Sequence, residues 1–409
     1  MDSFLARQPI FDPQSAVYAY ELLFRSAADK NWFTGQDPDQ ASGKVIHSSV
    51  LDFDWESLTG GRRAFVNLTR QGLLAGWVKV LPPEKAVVEV LETVAPDPEV
   101  IAACAELKRA GYLLALDDFV YAPEYEPLLA LADFVKIDFL LTKERSQREA
   151  IARALLPRRI RMLAEKVETR EDLAQGRELG YTLFQGYFFC RPEMLATKEI
   201  PPSRLAYLRL LQELHRPEVG FDRLEQIVKQ DLSLSVKLLR YLNSAAFRWS
   251  SRVSTIRQAL ALLGERPLRQ WASVAAFASL GEGRPAELVV TSLVRALFCE
   301  RLAACAGLAG AQLDLFLVGL LSALDALVGR PLPELLAGLS LRDEVRDTLL
   351  GGGRPTKLAP IWALAQTWER GDFVAAEALG QQVSVPTRTI AETYRQALAQ
   401  ADAVQSSAA

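Results

Sequence analysis

Phe134-Val135-Lys136-Ile137-Asp138 is an apolar run with a lysine at its centre and an aspartate at its end. Apolar runs of this length are typical of buried strands. A buried charge costs free energy unless it pairs with an opposite charge or binds a cation. Similar runs that carry or end in a polar residue recur along the first half of the chain. They predict a series of strands whose ends meet at one site.

The polar residues of these runs are mostly oxygen donors. They are Glu21, Asn67, Glu89, Asp117, Asp118, Lys136, Asp138, Glu165, Glu168 and Gln185. Any single acidic residue is more often a salt-bridge partner or a helix cap than a ligand. The series as a whole is harder to explain as solvated charge, because nearly every member follows residues of buried character. It indicates the mouth of a barrel that holds metal ions.

Strand-like and helix-like patterns alternate from residue 1 to about 198. Strands are predicted at 17–24, 64–68, 86–91, 112–116, 134–137, 162–167 and 183–189. Helices are predicted at 43–52, 98–110, 126–131, 147–156 and 170–179. This alternation predicts an α/β fold of parallel strands with helical crossovers, a TIM-like (β/α)8 barrel whose eighth strand the pattern does not locate. Reactive residues of such barrels lie at the carboxyl ends of the strands.

The second half of the chain has a different character. Prolines punctuate residues 191–202, which predicts a linker, and beyond it leucine, alanine, arginine and glutamate recur at helical spacing. With 409 residues the chain is long enough for two domains. We predict a barrel domain at 1–198, an all-α helical domain at 203–399 and a flexible tail at 400–409.

Composition excludes several classes of protein. The net charge of -3 and the pI near 5.8 argue against a nucleic-acid binder with a basic surface. The four cysteines are dispersed and form no CxxC pair, which fits a reducing cytoplasm. The N-terminus has no signal pattern, and the most apolar stretch, 313–328, is interrupted by Asp314 and Asp325, so we expect a buried helix and no membrane span. Two histidines are too few for a site with several histidine ligands.

The polar series also predicts a chemistry. Carboxylate and amide oxygens without thiolate or imidazole suit Mg²⁺ or Mn²⁺, and the candidate ligands are Glu21, Asn67, Glu89 and Asp117. Asp118 could bridge to a second ion. Two such ions a few ångströms apart are a common device for cleaving phosphoesters.

Three further residues complete this hypothesis. Lys136 could hold the attacking water or neutralise the transition state, and Glu165 is a candidate general base or water-orienting group. Arg25 lies four residues after Glu21, so the two share a face if the strand continues. A guanidinium there suits a phosphate.

The first half resembles the EAL domain family, phosphodiesterases that open cyclic di-GMP to the linear dinucleotide pGpG. The family signature Glu-x-Leu-x-Arg appears as Glu21-Leu22-Leu23-Phe24-Arg25. Its other hallmarks match Gln8-Pro9-Ile10, Asn67, Glu89 with Glu92, Asp117-Asp118-Phe119, Lys136-Ile137-Asp138, Glu165-x-Val167-Glu168, Gln185-Gly186-Tyr187 and Pro192. The matches fall in the family's order over essentially all of residues 1–198.

The resemblance implies a role for each matching residue. It implies two divalent metals on Glu21, Asn67, Glu89 and Asp117, catalysis by Lys136, Glu165 and Asp118, substrate binding by Gln8, Arg25, Asp138, Gln185 and Pro192, and loop support by Glu92 and Glu168. It is also compatible with a homodimer, since the loop after the Asp-Asp-Phe triplet helps to organise both the metals and the dimer in the family.

Two departures bear on activity. Active relatives have Gly-Thr-Gly after the Asp-Asp-Phe triplet, where this chain has Val120-Tyr121-Ala122, and a glycine where it has Lys166. Glycine permits backbone conformations that these residues do not, so we expect a stiffer loop and a cation near the metal site. Binding of metal and cyclic di-GMP is therefore favoured over efficient turnover. The alternative is a catalytically inactive cyclic di-GMP receptor or a protein-interaction adaptor.

The second half resembles the HDOD family, helical domains related to HD phosphohydrolases that lack the metal-binding His-Asp residues. The matching stretches are Asp231–Leu234, Leu238–Phe247, Ser254–Ala259 and Leu262–Glu265. No His-Asp pair occurs in the chain, so HD hydrolase chemistry cannot operate there. The resemblance implies a scaffold that passes the barrel's signal to a protein partner. From the charge and the hydropathy of the chain we expect no direct nucleic-acid or membrane binding.

Overall fold

The computed structural model describes residues 3–26, 58–186, 221–230, 255–281, 285–351 and 355–408, and between 207 and 238 also 207–208, 210–212, 214 and 238. The chain forms two compact units. The first comprises residues 1–189 with 367–375, and the second comprises 190–366 with 376–409. A short segment from late in the sequence therefore belongs to the first unit.

The first unit is built on a closed barrel of eight strands in sequence order. The strands are β1 (Ser3–Phe11), β2 (Val17–Ser26), β3 (Arg63–Leu68), β4 (Ala86–Val90), β5 (Leu113–Leu116), β6 (Phe134–Asp138), β7 (Arg161–Glu165) and β8 (Leu183–Phe184). The seven strands predicted from apolar runs are all present, although β8 ends at Phe184, earlier than predicted. The TIM-like barrel is confirmed.

The strand that the sequence pattern did not locate is β1, at the N-terminus. It runs antiparallel to both of its neighbours, β2 and β8, whereas the pairs from β2–β3 to β7–β8 are parallel. Pro9 and the polar pair Arg7-Gln8 interrupt its apolar pattern. Proline is found mainly at strand edges, and most of β1 is such an edge, because it pairs with β8 only at Phe11.

One residue from each strand meets in the barrel interior. This buried layer consists of Ile10, Ala19, Phe65, Val87, Ala115, Phe134, Leu163 and Leu183. Phe65 and Phe134 pack edge to face with ring centroids 5.3 Å apart. The layer closes the barrel beneath the carboxyl ends of the parallel strands, so it forms the floor of any site at that end.

Helices connect the parallel strands. They are α1 (Arg70–Leu74), α2 (Pro98–Arg109), α3 (Glu126–Leu129), α4 (Arg145–Leu155) and α5 (Arg170–Glu178), with single 3-10 turns at Trp77–Val80, Pro123–Tyr125 and Leu156–Arg158. Side-chain caps set several starts, as at Thr69, Asp97 and Thr169. The helix α1 was not predicted, because five residues are too few for a periodic pattern. The predicted helix at 43–52 lies outside the described residues.

Every described element of the second unit is helical, which confirms the all-α prediction. From residue 221 onward the helices are α6 (Phe221–Gln230), α7 (Ile256–Leu263), α8 (Glu265–Leu280), α9 (Ala286–Cys305), α10 (Gln312–Leu321), α11 (Leu324–Val328), α12 (Leu332–Ala337), α13 (Asp343–Leu350), α14 (Ala359–Glu369), α15 (Phe373–Gln382) and α16 (Thr387–Ala408). The last three residues of α14 and the first three of α15 lie in the segment that belongs to the first unit.

Two sequence expectations for this half need correction. The apolar stretch 313–328 is two helices, α10 and α11, because the chain breaks at Ser322-Ala323; Asp314 is nevertheless buried there, 2.9 Å from the Arg342 guanidinium. The helix α16 continues to Ala408, so most of the expected flexible tail is helical. None of the described helices is long and apolar enough to cross a membrane.

Candidate metal centre

The candidate site is a second layer of the barrel, directly above the apolar floor. Side chains alternate between the two faces of a strand, so residues two apart point the same way. Moving two residues along each strand from the floor residue, toward the mouth, reaches a polar side chain in every case. These eight residues, the polar layer, are Gln8, Glu21, Asn67, Glu89, Asp117, Lys136, Glu165 and Gln185.

On β1 the polar residue precedes the floor residue along the chain, because this strand runs antiparallel to the others. On the parallel strands the polar residue comes two positions after the floor residue, as Lys136 follows Phe134. On β1 it comes two positions before, so Gln8 precedes Ile10. Gln8 lies directly across from Glu21 in the β1–β2 register. Eight separate strands thus supply one ring of polar groups.

Lys136 lies at the centre of this ring and is only 1% exposed. Its ammonium is 2.8 Å from a carboxylate oxygen of Glu165, 3.0 Å from Asp117 and 3.4 Å from Glu21, and it also contacts Glu89. Four carboxylates share one ammonium, which leaves an excess of three negative charges if all are ionised. Buried charge of one sign is unfavourable without further cations or protons.

The carboxyl pKa values reflect this excess. Burial raises the pKa of Glu89 well above its usual range, and the Lys136 ammonium only partly offsets the effect. Burial likewise raises the pKa of Glu165 to about 8. Burial alone would lower the pKa of Lys136, but the surrounding carboxylates, Glu21 first, raise it, so the ammonium stays charged. In the absence of metal the site therefore favours retaining protons on its carboxyl groups.

Hydrogen bonds orient the remaining members of the polar layer. The Asn67 amide Nδ2 donates to Glu21 Oε1 at 3.0 Å. The Gln185 amide Nε2 donates to Glu21 Oε2 at 2.7 Å and to Gln8 Oε1 at 3.0 Å. Both carboxylate oxygens of Glu21 are thereby held in place, and all eight residues of the polar layer belong to one connected network.

A second group of carboxylates lies at the end of β5 and β7. Oxygen atoms of Asp117, Asp118 and Glu165 all lie within 4.8 Å of one another, close enough to share one cation. The Phe119 amide donates to the Lys136 carbonyl at 3.0 Å, which ties this loop to β6. Asp118 has a left-handed backbone with φ of 37°, an uncommon conformation for a residue other than glycine and one that is enriched at functional sites.

Lys166 adds a cation at the rim of this group. Its ammonium contacts the Asp138 carboxylate and lies 3.8 Å from Asp118 Oδ2. The backbone amide of Gln185 donates to the Ala164 carbonyl, and the backbone carbonyl of Gln185 accepts from the Val167 amide. The chain after β7 therefore has one residue more than a regular parallel ladder needs, which is a β-bulge. This bulge gives Lys166 a φ of 52° and turns its side chain toward the two aspartates. The expected cation near the metal site is therefore present.

The other oxygen of Asp138 is also engaged. Asp138 Oδ1 accepts hydrogen bonds from the backbone amides of Leu140 at 2.6 Å and Leu141 at 3.1 Å. The loop that supplies these amides is braced by Arg148, a buried side chain that donates to the carbonyls of Phe139 and Thr142 and pairs with Asp172 at 2.9 Å. Sequence reasoning missed Arg148, since an arginine on an amphipathic helix reads as solvated surface.

Gly186 makes the placement of Gln185 possible. A Cβ atom at Gly186 would lie 2.3 Å from the Val167 backbone nitrogen and 2.4 Å from its carbonyl oxygen. Only glycine allows the two backbones to approach so closely. The Gln-Gly pair therefore reflects packing of β8 against the bulge after β7.

Four buried oxygen atoms of the site bear on whether it suits a metal ion. Among the described residues, Asn67 Oδ1, Glu89 Oε2, Asp118 Oδ1 and Gln185 Oε1 are buried and have no hydrogen-bond partner. Buried polar atoms are rarely left unsatisfied. These are hard oxygen donors next to an excess of negative charge, so the residues present fit divalent cations such as Mg²⁺ or Mn²⁺.

The loop after Asp118 is held by side-chain contacts at its far end. Val120 and Tyr121 are exposed, and the Tyr121 hydroxyl donates to Glu126 at 2.9 Å. Glu126 also forms a forked pair with the Arg158 guanidinium at 2.6 and 2.8 Å. Phe119 packs edge to face on Tyr125. These contacts hold the segment that follows Asp118, and the expectation of a stiffer loop stays a prediction.

Four of the predicted site roles stay predictions. Glu92 is exposed in the turn after β4, and Glu168 is half-buried beyond the bulge, so their loop-support roles stay predictions. The strand β2 does continue through Arg25, as its predicted phosphate role requires, but the side chain of Arg25 lies outside the described part of the chain. Pro192 also lies outside the described residues.

Comparison with known proteins identifies the family of both halves. The EAL domain profile matches residues 50–192 and the HDOD domain profile matches residues 200–334. The cyclic di-GMP phosphodiesterase CdgJ of Vibrio cholerae is 36% identical over 377 residues, which cover 92% of this chain and 87% of that protein. The chain belongs to the EAL domain family. Its second half is an HDOD domain.

Two further similarities extend this comparison. The uncharacterized protein YuxH of Bacillus subtilis is 38% identical over 360 residues, covering 86% of this chain and 87% of that protein. A solved structure, Klebsiella pneumoniae BlrP1 in complex with calcium and cyclic di-GMP, is 24% identical with a TM-score of 0.40. The match to BlrP1 covers 47% of this chain and 56% of that chain. The two profile matches and the similarity to CdgJ confirm the EAL–HDOD arrangement expected from the sequence motifs.

Proposed function

We propose that the EAL barrel is a Mg²⁺- or Mn²⁺-dependent phosphodiesterase that hydrolyses cyclic di-GMP to linear pGpG. The observation that carries this proposal is the polar layer. It gathers four carboxylates and three amides in one network with a buried lysine and leaves several oxygens without partners. The 36% identical relative named as a cyclic di-GMP phosphodiesterase supports the choice of substrate.

Each group of the site would have a defined part in this reaction. Glu21, Asn67, Glu89 and Asp117 would hold one divalent ion, and Asp117 with Asp118 and Glu165 would hold a second. Such ions supply an activated water and stabilise charge on the leaving oxygen. Hydrolysis adds water across one P–O3′ bond and releases a 5′-phosphate and a 3′-hydroxyl.

The protein's own side chains would bind the substrate and move the proton. Glu165 is the candidate general base: burial raises its pKa to about 8 in the metal-free chain, and bound cations would lower it, so that the ionised carboxylate could accept a proton from the attacking water. The Lys136 ammonium would offset the growing charge on the phosphate oxygens. Arg25 would hold a phosphate, and Gln8, Asp138, Gln185 and Pro192 would contact the rest of the nucleotide.

The turnover assay tests this proposal directly. We expect full-length protein with cyclic di-GMP and Mn²⁺ to form linear product, resolved by chromatography, and Glu21→Ala to form none. Glu21 contacts Lys136, Asn67 and Gln185, so its loss disrupts the network at its best-connected carboxylate. Wild-type product no higher than that of Glu21→Ala would refute the enzyme proposal.

A second function, binding without turnover, is favoured by Lys166. Its ammonium contacts Asp138 and lies 3.8 Å from Asp118, so it would compete with the second cation needed for turnover. In this case the barrel acts as a cyclic di-GMP receptor. Calorimetry with Ca²⁺ in place of Mn²⁺ separates binding from turnover, and we expect Arg25→Ala to weaken binding. Unchanged affinity in Arg25→Ala would remove its phosphate role.

We also propose that the HDOD domain passes the state of the barrel to a protein partner. The support is the absence of any His-Asp pair in the sequence, which leaves this half without the ligand set of a metal hydrolase. The boundaries 1–198 and 203–399 are part of the same proposal, with residues 367–375 contributed to the barrel unit. Affinity capture with the full-length protein as bait, with and without cyclic di-GMP, tests this proposal. A set of captured proteins that is the same with and without the nucleotide would contradict it.

A further inference from the structure

The β1–β2 pair extends beyond the closed barrel as a two-stranded ribbon. β1 and β2 pair along their length, from Ser3 with Ser26 to Phe11 with Val17. β2 pairs with β3 only as far as Leu22, and β1 pairs with β8 only at Phe11. An isolated two-stranded ribbon is marginally stable in water. Something must therefore cover the free end of this one.

Residues 367–375 cover it. The Trp368 indole Nε1 donates to the Leu5 carbonyl of β1 at 3.2 Å, and Trp368 is completely buried. Phe373 packs edge to face on the same indole with centroids 4.9 Å apart. Between these aromatic residues the chain turns at Gly371, where a Cβ atom would lie 2.5 Å from the Leu23 side chain of β2. The segment thus contacts both strands of the ribbon.

The ribbon carries a residue of the polar layer at its base. Leu23 is two residues beyond Glu21 on β2, and Leu5 is three residues before Gln8 on β1. Gln8 and Glu21 face each other across the two strands. Glu21 lies one residue before the last β2–β3 pair, Leu22 with Val66, so a shift of the ribbon acts directly beside this candidate ligand, whereas the other candidate ligands lie on other strands.

A chain of hydrogen bonds joins the same segment to Glu21. The Glu369 carbonyl accepts from the Gln8 amide at 3.4 Å. Gln8 Oε1 accepts from the Gln185 amide, which also donates to Glu21 Oε2. The backbone of residue 369 is thus three hydrogen bonds from a candidate metal ligand.

We propose that residues 367–375 are a positioning element that holds the β1–β2 ribbon, and with it Glu21, in the geometry that binds cations. The part that concerns cations rests on the proposed function. The α14 helix continues from the HDOD half into this segment, so the proposal also makes the barrel's cation affinity depend on how that part of the chain is held.

Two glycines provide a matched test in the full-length chain. Gly371 has a φ of 77° and its Cβ would meet Leu23, whereas Gly307 has a φ of 73° and open space around its Cβ position. Gly371→Ala and Gly307→Ala therefore impose the same backbone strain, but only the first places a methyl group against a ribbon side chain, that of Leu23. Mn²⁺ affinity, measured by the loss of the free-ion electron paramagnetic resonance signal, is the first readout.

The second readout does not depend on metal. Hydrogen exchange of the peptides that contain β1 and β2 reports whether the ribbon opens. We expect Gly371→Ala to bind Mn²⁺ about fivefold or more weakly and to exchange faster in these peptides, and Gly307→Ala to match wild type in both. Trp368→Phe, which keeps an aromatic ring but loses the donor to Leu5, should act in the same direction, with Trp362→Phe on the same helix as its control.

The outcomes separate this inference from the proposed function. Equal Mn²⁺ affinity and equal exchange in Gly371→Ala and Gly307→Ala would overturn the inference and leave the proposed function standing. If wild type bound no Mn²⁺, the proposed function would fail, and exchange alone would decide whether the segment holds the ribbon. If Gly371→Ala fails to fold, the Trp368→Phe and Trp362→Phe pair decides by the same two readouts.

Discussion

Lys136 is the residue on which the site's electrostatics depend most. We predict that Lys136→Met lowers the free energy of unfolding by about 3 kcal/mol or more without metal, because four carboxylates lose their shared partner. Added Mn²⁺ should restore much of this loss, since the ion takes the place of the ammonium. Urea denaturation with and without Mn²⁺ measures both effects.

A lysine in an exposed pair is the control for this prediction. Lys79 pairs with Glu106 at 2.6 Å on the surface, and Lys79→Met should leave the unfolding free energy nearly unchanged. Similar losses in the two variants would mean that Lys136 is an ordinary ion-pair residue, and absence of rescue by Mn²⁺ would count against the metal centre.

Lys166 tests whether a resident cation weakens metal binding. We predict that Lys166→Gly tightens Mn²⁺ binding by about fivefold, a modest effect because the ammonium is half exposed. The matched control is Arg159→Gly. Arg159 has a similar φ of 60° at the opposite end of β7, so both changes relieve the same backbone strain. Calorimetric titration with Mn²⁺ compares them; tightening in both variants, or in neither, would contradict the proposed competition.

The raised pKa of Glu165 leads us to predict how the stability of the protein depends on pH. Its pKa in the folded chain is raised from 4.5 to about 8, so between these values the folded state binds more protons than the unfolded state. The free energy of unfolding of the metal-free protein should therefore fall as pH rises through this window, by up to about 1.4 kcal/mol per pH unit. Urea denaturation at several pH values measures the slope.

The variant Glu165→Gln should flatten this slope, because the amide does not titrate. Glu178→Gln, which changes an exposed carboxylate on α5, should leave the slope as in wild type. Glu89, whose pKa is also raised by burial, should keep part of the slope in this variant. A slope in Glu165→Gln as steep as in wild type would assign the pH dependence to other groups and would weaken the general-base role proposed for Glu165.

At the scale of elements, the contact between β8 and the bulge after β7 is the least tolerant of change. We predict that Gly186→Ala lowers the free energy of unfolding by at least about 2 kcal/mol more than Gly60→Ala. Gly60 also has a positive φ, 56°, but its Cβ would meet nothing within 4 Å. Thermal or urea denaturation of the two variants measures this difference in the free energy of unfolding. Equal losses would mean that the backbone near Val167 can yield.

The strands show what an apolar run can and cannot predict. Runs such as Phe134–Asp138 were recognised because parallel barrel strands are buried on both faces and read as continuous apolar sequence. The N-terminal strand was missed because it is a ribbon strand with Arg7, Gln8 and Pro9 in its middle. The short helix α1 was missed because five residues carry no period.

The polar layer was predictable as a set but not as a network. Period-two alternation and strand ends place Glu21, Asn67 and Glu89 on one rim. The sequence could not tell that Lys136 would sit among four carboxylates, since that depends on the barrel's closure. It also could not tell that Lys166 would turn toward Asp138, because the bulge arises from pairing with a distant strand.

At the scale of the whole molecule, the sequence predicts a simpler division into domains than the structure shows. A single boundary near residue 200 follows from the change of pattern, but the structure assigns residues 367–375 to the barrel unit. Nothing in the helical periodicity of α14 and α15 distinguishes those residues from their neighbours. Trp368 reads as ordinary core, and only the fold reveals that it is buried against β1.

The position of bound metal is the most direct test of the account. Crystals of the full-length protein soaked in Mn²⁺ would give anomalous difference peaks at the ions. We predict one peak among Glu21, Asn67, Glu89 and Asp117 and a second beside Asp118 and Glu165, the second being stronger in crystals of Lys166→Gly than in those of wild type. Peaks only on surface carboxylates, with none in the polar layer, would contradict the central claim that the barrel mouth is a divalent-cation site.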